Sequence, residues 1–335
     1  MSKKITITDI AQLSNTSKTT VSFYLNQKFE KMSEETRKRI EDVIKETGYK
    51  PSALARSMNS KRTNLIGVLI GDITNTFSNQ IVKGIETVTK ENNYQVLIGN
   101  SNYDSKNEDY YIENMLNLGV DGFIIQPTSN FRKYSRIINE KEKHMVFFDS
   151  QLYEHKTNWV KTNNYDAVYD MIQSAIEKGY EEFVMITADP SLLSTRIERA
   201  SGFIDALSEK NLDFKKLIIE QDDTDTKYLE DYLNQVVDRK KKTLVFVPNC
   251  WALHMVFEVM KKLEFSMPHI GLVGFDNLEW TNFSSPTVTT IVQPAFNEGM
   301  EAAKILINEI EGSTYGEAQK TFDCKIEWKE STCKK

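Results

Sequence analysis

Apolar side chains recur at helical spacing through the first fifty residues of this chain and gather into short continuous runs after residue 64. Ile10, Ala11 and Leu13 fall within one turn and give an inner face, and Thr6 stands three residues before Asp9, the spacing of a capping box. A first helix is therefore expected from about Thr6 to Ser14. Asn15, Thr16 and Ser17 interrupt the pattern, and Ser17 can cap a second helix, Lys18 to Asn26, in which Val21 and Leu25 face inward. Ser33 opens a third helix, acidic at Glu34 and Glu35, striped with Ile40, Val43, Ile44 and Thr47 and closed by Gly48. Farther on, apolar runs occupy Leu65–Ile70, Gln95–Ile98, Gly122–Ile125, Met145–Phe148, Phe183–Ile186, Leu244–Val247 and Gly271–Val273. Segments of helical period, such as 78–92 and 164–178, separate many of them. Buried strands alternating with helices predict an α/β body of parallel sheets covered on both faces, long enough for roughly two domains.

Charge sharpens the picture of the N-terminal region. Residues 1–62 hold 13 of the 42 Lys and Arg but only 7 of the 48 Asp and Glu, on a chain whose net charge is −6. Periodicity alone leaves any small three-helix bundle open. A basic module on an acidic protein, with a polar, basic second helix after a three-residue break, favours a helix-turn-helix that enters a major groove.

The remaining chemistry is mostly exclusion. The N-terminal MSKKITITDIAQ lacks the apolar core of a signal peptide, and no apolar run approaches the ~20 residues of a membrane helix, so a cytoplasmic protein with no membrane partner is expected. Cys250, Cys324 and Cys333 form no C-x-x-C pair and read as free thiols. His144, His155, His254 and His269 show no metal-ligand spacing, and G-x-G-x-x-G, P-loop and G-x-S-x-G motifs are absent. The pair Asp222-Asp223 reads as a solvated loop. No metal, no cofactor and no enzymatic activity are expected.

The stretches TSKTTVSFYLN, MSEETRKRIEDVIKETGYKPSALARSM and NLIGVLIGDITNTF, followed by GVDGFII, RASGF, GLVGFDN and TVTTIVQP, resemble the lactose-repressor (LacI/GalR) family over about residues 5–328. The resemblance implies a helix-turn-helix headpiece (1–50), a hinge helix and linker (51–63), and a two-lobed effector-binding and dimerisation domain like a periplasmic binding protein (64–335). Lobe 1 would comprise about 64–162 and 293–321, and lobe 2 about 163–292 and 322–335, with crossings near 162–163, 292–294 and 320–323. It also implies a homodimer on a pseudo-palindromic operator in double-stranded DNA. Lys18, Thr19, Ser22 and Phe23 match base-contacting positions, and Ser17, Thr20, Asn26, Tyr49 and Ser52 match phosphate-holding ones. In the hinge, Pro51 can start a helix of barely two turns, marginal alone. The family folds this helix on DNA, where Ala55 and Met58 would enter the minor groove and Met58 would be the wedge; a plain linker is the alternative reading. The family usually has Arg at position 23, Asn at 52 and Leu at 58.

The resemblance carries effector contacts to Asp149, Arg199, Asn249 and Asp276, on the second lobe's side or near the crossings. Gln126 and Gln293 occupy further polar positions, and Ile73, Asn75 and Phe77 form the opposing wall. Asp, Asn and Gln suit sugar hydroxyls because they offer paired acceptors or a donor with an acceptor. Alternatively GFDN is a plain turn and Arg199 a structural ion pair. Thr76, Cys250 and Asp223 depart from the family's Pro, Asp and aromatic residue. Arg196, three residues before Arg199 and hence on its helical face, tilts the expected effector towards a sugar acid or sugar phosphate. KFEKMSEETR resembles regulators of ketogluconate use. The expected function is a transcriptional regulator, a repressor of carbohydrate use answering to a small sugar-derived effector; the alternative is control by a partner protein, as in the catabolite-control type.

Phe can touch a thymine methyl but cannot fork onto guanine as Arg does. Phe23→Arg is expected to move operator preference towards guanine at one step by about 1–3 kcal/mol, read by selection from a randomised operator. An unchanged base preference would remove Phe23 from the groove.

Overall fold

A computed structural model describes residues 5–49, 62–128, 131–150, 157–221, 224–276, 279–313 and 318–333. The hinge residues Pro51, Ser52, Ala55 and Met58, together with His155, Asp222, Asp223 and Asn277, lie outside them. The chain divides into two compact units, Met1–Thr63 and Asn64–Lys335.

In the first unit three helices, α1 (Ile7–Leu13), α2 (Lys18–Leu25) and α3 (Glu34–Thr47), close over Ile10, Ala11, Val21 and Ile40. Thr6 and Asp9 form the reciprocal capping box, Ser17 caps α2 and Ser33 caps α3, each satisfying a backbone N–H that the helix leaves open. Leu13, expected on the inner face, is instead 61% exposed. Its place is taken by Ser14, which is buried and returns its hydroxyl to the Ile10 carbonyl at 2.7 Å. Between α2 and α3 a single 3-10 turn, Phe29–Lys31, sets the Phe29 ring edge-on to Tyr24 and under the Arg37 guanidinium, 4.0 Å from the ring centroid.

The second unit holds two six-stranded sheets. The first contains β1 (Leu65–Ile70), β2 (Gln95–Asn100), β3 (Gly122–Ile125), β4 (His144–Phe148), β5 (Asn158–Thr162) and β11 (Gln319–Phe322), ordered β11-β5-β4-β3-β1-β2 and parallel throughout. The other contains β6 (Glu182–Thr187), β7 (Phe214–Ile218), β8 (Thr243–Val247), β9 (Ile270–Phe275), β10 (Thr289–Val292) and β12 (Lys325–Glu327) in the matching order β12-β10-β9-β8-β6-β7, with only β12 antiparallel. The chain passes between the sheets after β5, after β10 and between β11 and β12. Cross-ties hold the first and third passages together: Asn163 accepts from the Cys324 N–H at 2.8 Å and donates to Asp323 at 3.1 Å. Strands with continuous apolar runs are mostly internal ones, buried on both faces; β2, at an edge and partly exposed, is the exception. The edge strands QKTF and KIE alternate exposed and half-buried side chains, which is why no apolar run marks them.

Helices cover both faces of each sheet. On the first, α4 (Thr76–Glu91) and α11 (Ala295–Glu311) lie on one face, and α5 (Ser105–Asn117) with α6 (Arg132–Glu140) on the other. The second sheet is covered by α7 (Asn164–Glu177) and α8 (Ser194–Ser208) on one side, and by α9 (Thr226–Val236) and α10 (Cys250–Lys262) on the other. The backbones of α4 and α11 come so near that a Cβ on Gly84 would lie 2.1 Å from the Phe296 carbonyl oxygen, and one on Gly299 2.1 Å from that of Ile81. This contact carries the third stretch of chain back onto the first lobe.

Helix propensity alone predicts that Gly299→Ala gains about 1 kcal/mol. The close approach predicts a loss of about 1–3 kcal/mol from overpacking. Urea unfolding of the variant is expected to show the loss; a gain would mean that the helices part at no cost.

Candidate functional site

On α2 the residues predicted to meet DNA share one side. At helical spacing Lys18, Ser22, Asn26, Thr19 and Phe23 fall within an arc of about 140°, while Val21 is buried opposite. Lys18 and Thr19 are exposed, and Ser22 and Phe23 are partly so. Ser17 and Thr20 bond to each other, hydroxyl to hydroxyl at 2.8 Å, and the Asn26 amide donates to the Ser22 carbonyl at 2.8 Å. Tyr49 packs against the small core. The first turn of α2 thus offers N–H groups, hydroxyls and one ammonium in a short span, a set suited to phosphates and base edges.

In the second unit a cavity of about 160 Å³ opens between the C-terminal ends of the strands of both sheets. Loops at strand ends are where parallel α/β sheets present side chains to ligands. Asn75, Phe77, Gln126 and Asp149 reach it from the first lobe; Arg196, Arg199, Asn249 and Asp276 reach it from the second; Gln293 sits on the middle passage. Asp149 follows β4 and so belongs to the first lobe, not to the second lobe's side. Ile73 is 51% exposed and does not line the cavity; its N–H is spent on Asn100 at 3.0 Å.

The buried polar groups are tied into chains. Gln126 accepts from the Gly71 N–H at 2.9 Å and donates to Asp149 at 2.7 Å. Thr162 donates to Gln293 at 2.7 Å, and Gln293 donates onward to Asp276, so two of the three passages and the end of β9 form one line. Arg199 donates to Asn164 at 2.8 Å and to the Pro248 carbonyl at 2.9 Å, and its guanidinium lies 3.7 Å over the Phe275 ring. The ion-pair reading of Arg199 therefore gives way to hydrogen bonds and stacking that hold it in place. The Asn249 side-chain oxygen accepts from the Ala188 N–H at 2.9 Å, so its NH2 group is not used in that bond.

Strand ends in the two lobes mirror each other. Asp149 (φ 64) and Asp276 (φ 83) end the equivalent strands β4 and β9, both in the left-handed region that non-glycine residues seldom occupy. Sequence reading missed Glu298, which is fully buried and accepts the Asp149 N–H at 2.6 Å. One oxygen of Asp149 and one of Glu298 accept no hydrogen bond among the described residues. Burial pushes the Asp149 carboxyl up to about 6, opposed by Arg199 and by the Gln126 bond. Burial, and then the neighbouring Asp149 charge, push Glu298 well above the carboxylate range. Desolvation lowers Arg196. Also missed were Tyr103 and Trp251, whose loop and helix-start positions carry no periodic signal. Among the described residues no cluster of His, Cys, Asp and Glu could hold a metal, and no helix is long and apolar enough to cross a membrane.

Residues 63–329 match the family described as periplasmic binding proteins and sugar binding domain of LacI family, and residues 6–52 match bacterial regulatory proteins, lacI family. The chain is 30% identical over 312 residues to the HTH-type transcriptional regulator KdgR of Bacillus subtilis, covering 92% of this chain and 91% of that protein. To catabolite control protein A of Priestia megaterium it is 26% identical over 330 residues, 98% of this chain and 99% of that one. The lac repressor dimer, solved bound to operator and the anti-inducer ONPF, superposes with a TM-score of 0.82 at 19% identity, over 98% and 99% of the two chains.

A carboxyl whose folded pKa lies above its unfolded value stabilises the fold fully below the unfolded pKa and loses that contribution as pH rises through the folded one. For Asp149 the loss runs from about 4 to about 6, and for Glu298 it continues higher. Glu298→Gln keeps an acceptor for the Asp149 N–H and removes one ionisation. Its Tm is expected to exceed wild type at about pH 8 and to converge with it near about pH 4. A Tm difference that does not change with pH would mean that Glu298 is not held protonated.

Proposed function

The chain belongs to the LacI family of bacterial regulatory proteins and is a DNA-binding transcriptional regulator rather than an enzyme, and from that premise we propose that it is a repressor of carbohydrate use released by a small sugar-derived effector held between its lobes. One observation carries the reading. The cavity is walled by buried hydrogen-bonding side chains of both lobes and is wired, through Asp276, Gln293 and Thr162, to the passages on which the lobes turn. A ligand that replaces or tightens a bond in that line acts directly on the hinge. It shifts the lobes only if it binds one arrangement more tightly than the other, because equal affinity shifts nothing.

DNA recognition falls to α2, with Lys18, Thr19, Ser22 and Phe23 towards bases and Ser17, Thr20, Asn26 and Tyr49 towards phosphates. The protein works in the cytoplasm as a homodimer on a pseudo-palindromic operator, since one headpiece reads only a few base pairs. For the effector, the description of the matched family as a sugar-binding domain supports a sugar. Arg199 is already committed within the protein, so the lean towards a sugar acid or sugar phosphate rests on Arg196, whose hydrogen bond among the described residues, to the Asp189 carbonyl at 3.4 Å, is long.

Thermal shift with sugar acids, sugar phosphates and neutral sugars is the direct test, since a ligand of the folded state raises Tm. A sugar acid or phosphate is expected to stabilise the protein and to release operator in a gel shift. Arg196→Gln is expected to raise the concentration needed for half-release at least about tenfold, the loss of one charge-assisted hydrogen bond. Stabilisation by neutral sugars alone would refute the anionic effector. No stabilisation by any of them, with operator affinity altered by a partner protein, would replace the reading with partner control.

A further inference from the structure

Tyr103 belongs to no motif, yet the structure takes trouble to place it. It follows β2, the strand at the edge of the first sheet, and from there its ring reaches over the end of β1. Gly71 makes the room, for a Cβ at that position would lie 2.3 Å from the Tyr103 ring. Two successive residues, Asn102 (φ 50) and Tyr103 (φ 55), adopt the left-handed conformation. For a bulky side chain that conformation is costly and persists only where surrounding bonds impose it. Here they do: Ser101 donates to the Ile70 carbonyl at 3.1 Å and accepts from the Tyr103 N–H at 3.2 Å, Asn107 donates to the Ser101 carbonyl at 3.0 Å, and Asn100 donates to Asn102 at 2.8 Å. The ring lines the cavity, and the phenol's electrostatic neighbours come from both lobes: Asp72 and Asp149 on the first, Arg196 and Cys250 on the second.

We propose that Tyr103 is the specificity-determining residue of this cavity, a fixed ring that closes one end of the cleft and limits the size of what enters. The proposal rests on the reading of the cavity as the effector site. The ring is held by its own lobe, so it narrows the entrance whether or not a ligand is present. A single ring-sized ligand packs its apolar face on the phenol, and a larger one meets it edge-on.

Cys250 makes the gate measurable without knowing the ligand, because this thiol lies on the far lobe's wall of the same cavity. Burial and the nearby Asp276 raise the thiol, so labelling is done at alkaline pH, where more thiolate forms. Cys324, pushed up to about 12 by burial, and Cys333 serve as references in the same chain. The full-length protein is treated with N-ethylmaleimide or with the much larger fluorescein-5-maleimide, and each cysteine is followed by peptide mass spectrometry. In wild type the small reagent is expected to reach Cys250 slowly and the large one not at all. Tyr103→Ala is expected to admit both, with at least a tenfold faster reaction at Cys250 and unchanged rates at the other two; Tyr103→Phe is expected to behave as wild type. Ready reaction of the large reagent with wild-type Cys250, or its continued exclusion from Tyr103→Ala, overturns the gate. Should all three cysteines accelerate together in Tyr103→Ala, Tyr103→Leu decides: acceleration confined to Cys250 supports the gate, and none there overturns it. Failure of every sugar in the thermal-shift panel bears on the proposed function alone.

Discussion

The structure turns on the cost of burying charge at the meeting of two lobes. Arg199, Asp149 and Asp276 are each 7% exposed or less, and Glu298 is wholly buried. An ion so placed loses its hydration and is tolerated only where hydrogen bonds or opposite charges replace the water. Arg199 meets the cost with two hydrogen bonds and the Phe275 face; Asp276 meets it with Gln293, which Thr162 holds in turn. Because Thr162 and Gln293 sit on the passages between lobes, the electrostatic demand at Asp276 and the geometry of the passages are one problem.

The incomplete satisfaction at Asp149 and Glu298 has the opposite character. Each keeps an oxygen with no donor among the described residues. Unsatisfied buried acceptors reduce stability, and strained strand ends at Asp149 and Asp276 add to that cost. Such features persist where a site must keep capacity for a partner that is not always there. On the proposed reading of the cavity, a ligand hydroxyl given to Asp149 would convert a destabilising group into a satisfied one. The lysine–glutamate pair across the lobes, Lys161 to Glu198 at 2.5 Å, is the complementary case: both ends are satisfied, and it needs no ligand.

Legibility in the sequence divided along contact range. The headpiece could be read because its determinants are local: Thr6 with Asp9, Ser17 with Thr20 and Ser33 with Thr36 are all three residues apart, and caps and helix stripes repeat within a few positions. Leu13 failed because being apolar and within one turn of Ile10 does not say which way a short helix lies on its neighbours. Phe29 was overlooked because a single-turn 3-10 segment has no period. Most of the strands inside the sheets announced themselves as apolar runs, as did the edge strand β2, while the edge strands β7, β11 and β12 did not. Cavity residues such as Asp149, Arg199, Asn249 and Asp276 were reached through the family resemblance, and the wall residues outside its motifs, Tyr103 and Trp251 among them, were not.

By itself, then, the amino-acid order determined the two-part plan, the helix-turn-helix with its polar reading face, and the α/β lobes, because capping, periodicity and net charge are written in neighbouring residues. That Asp149 faces Arg199 and Asp276 of the other lobe across one cavity needed the tertiary structure, since lobe bounds alone do not say which strand ends meet. The same holds for the partnership of Asp149 with Glu298, 149 positions apart, and for the line from Thr162 through Gln293 to Asp276. So it does for Tyr103, whose importance depends on a glycine just after another strand and on an arginine in another lobe. No spacing rule encodes such encounters, because they are created only when the chain closes on itself and distant side chains compete for the same small volume.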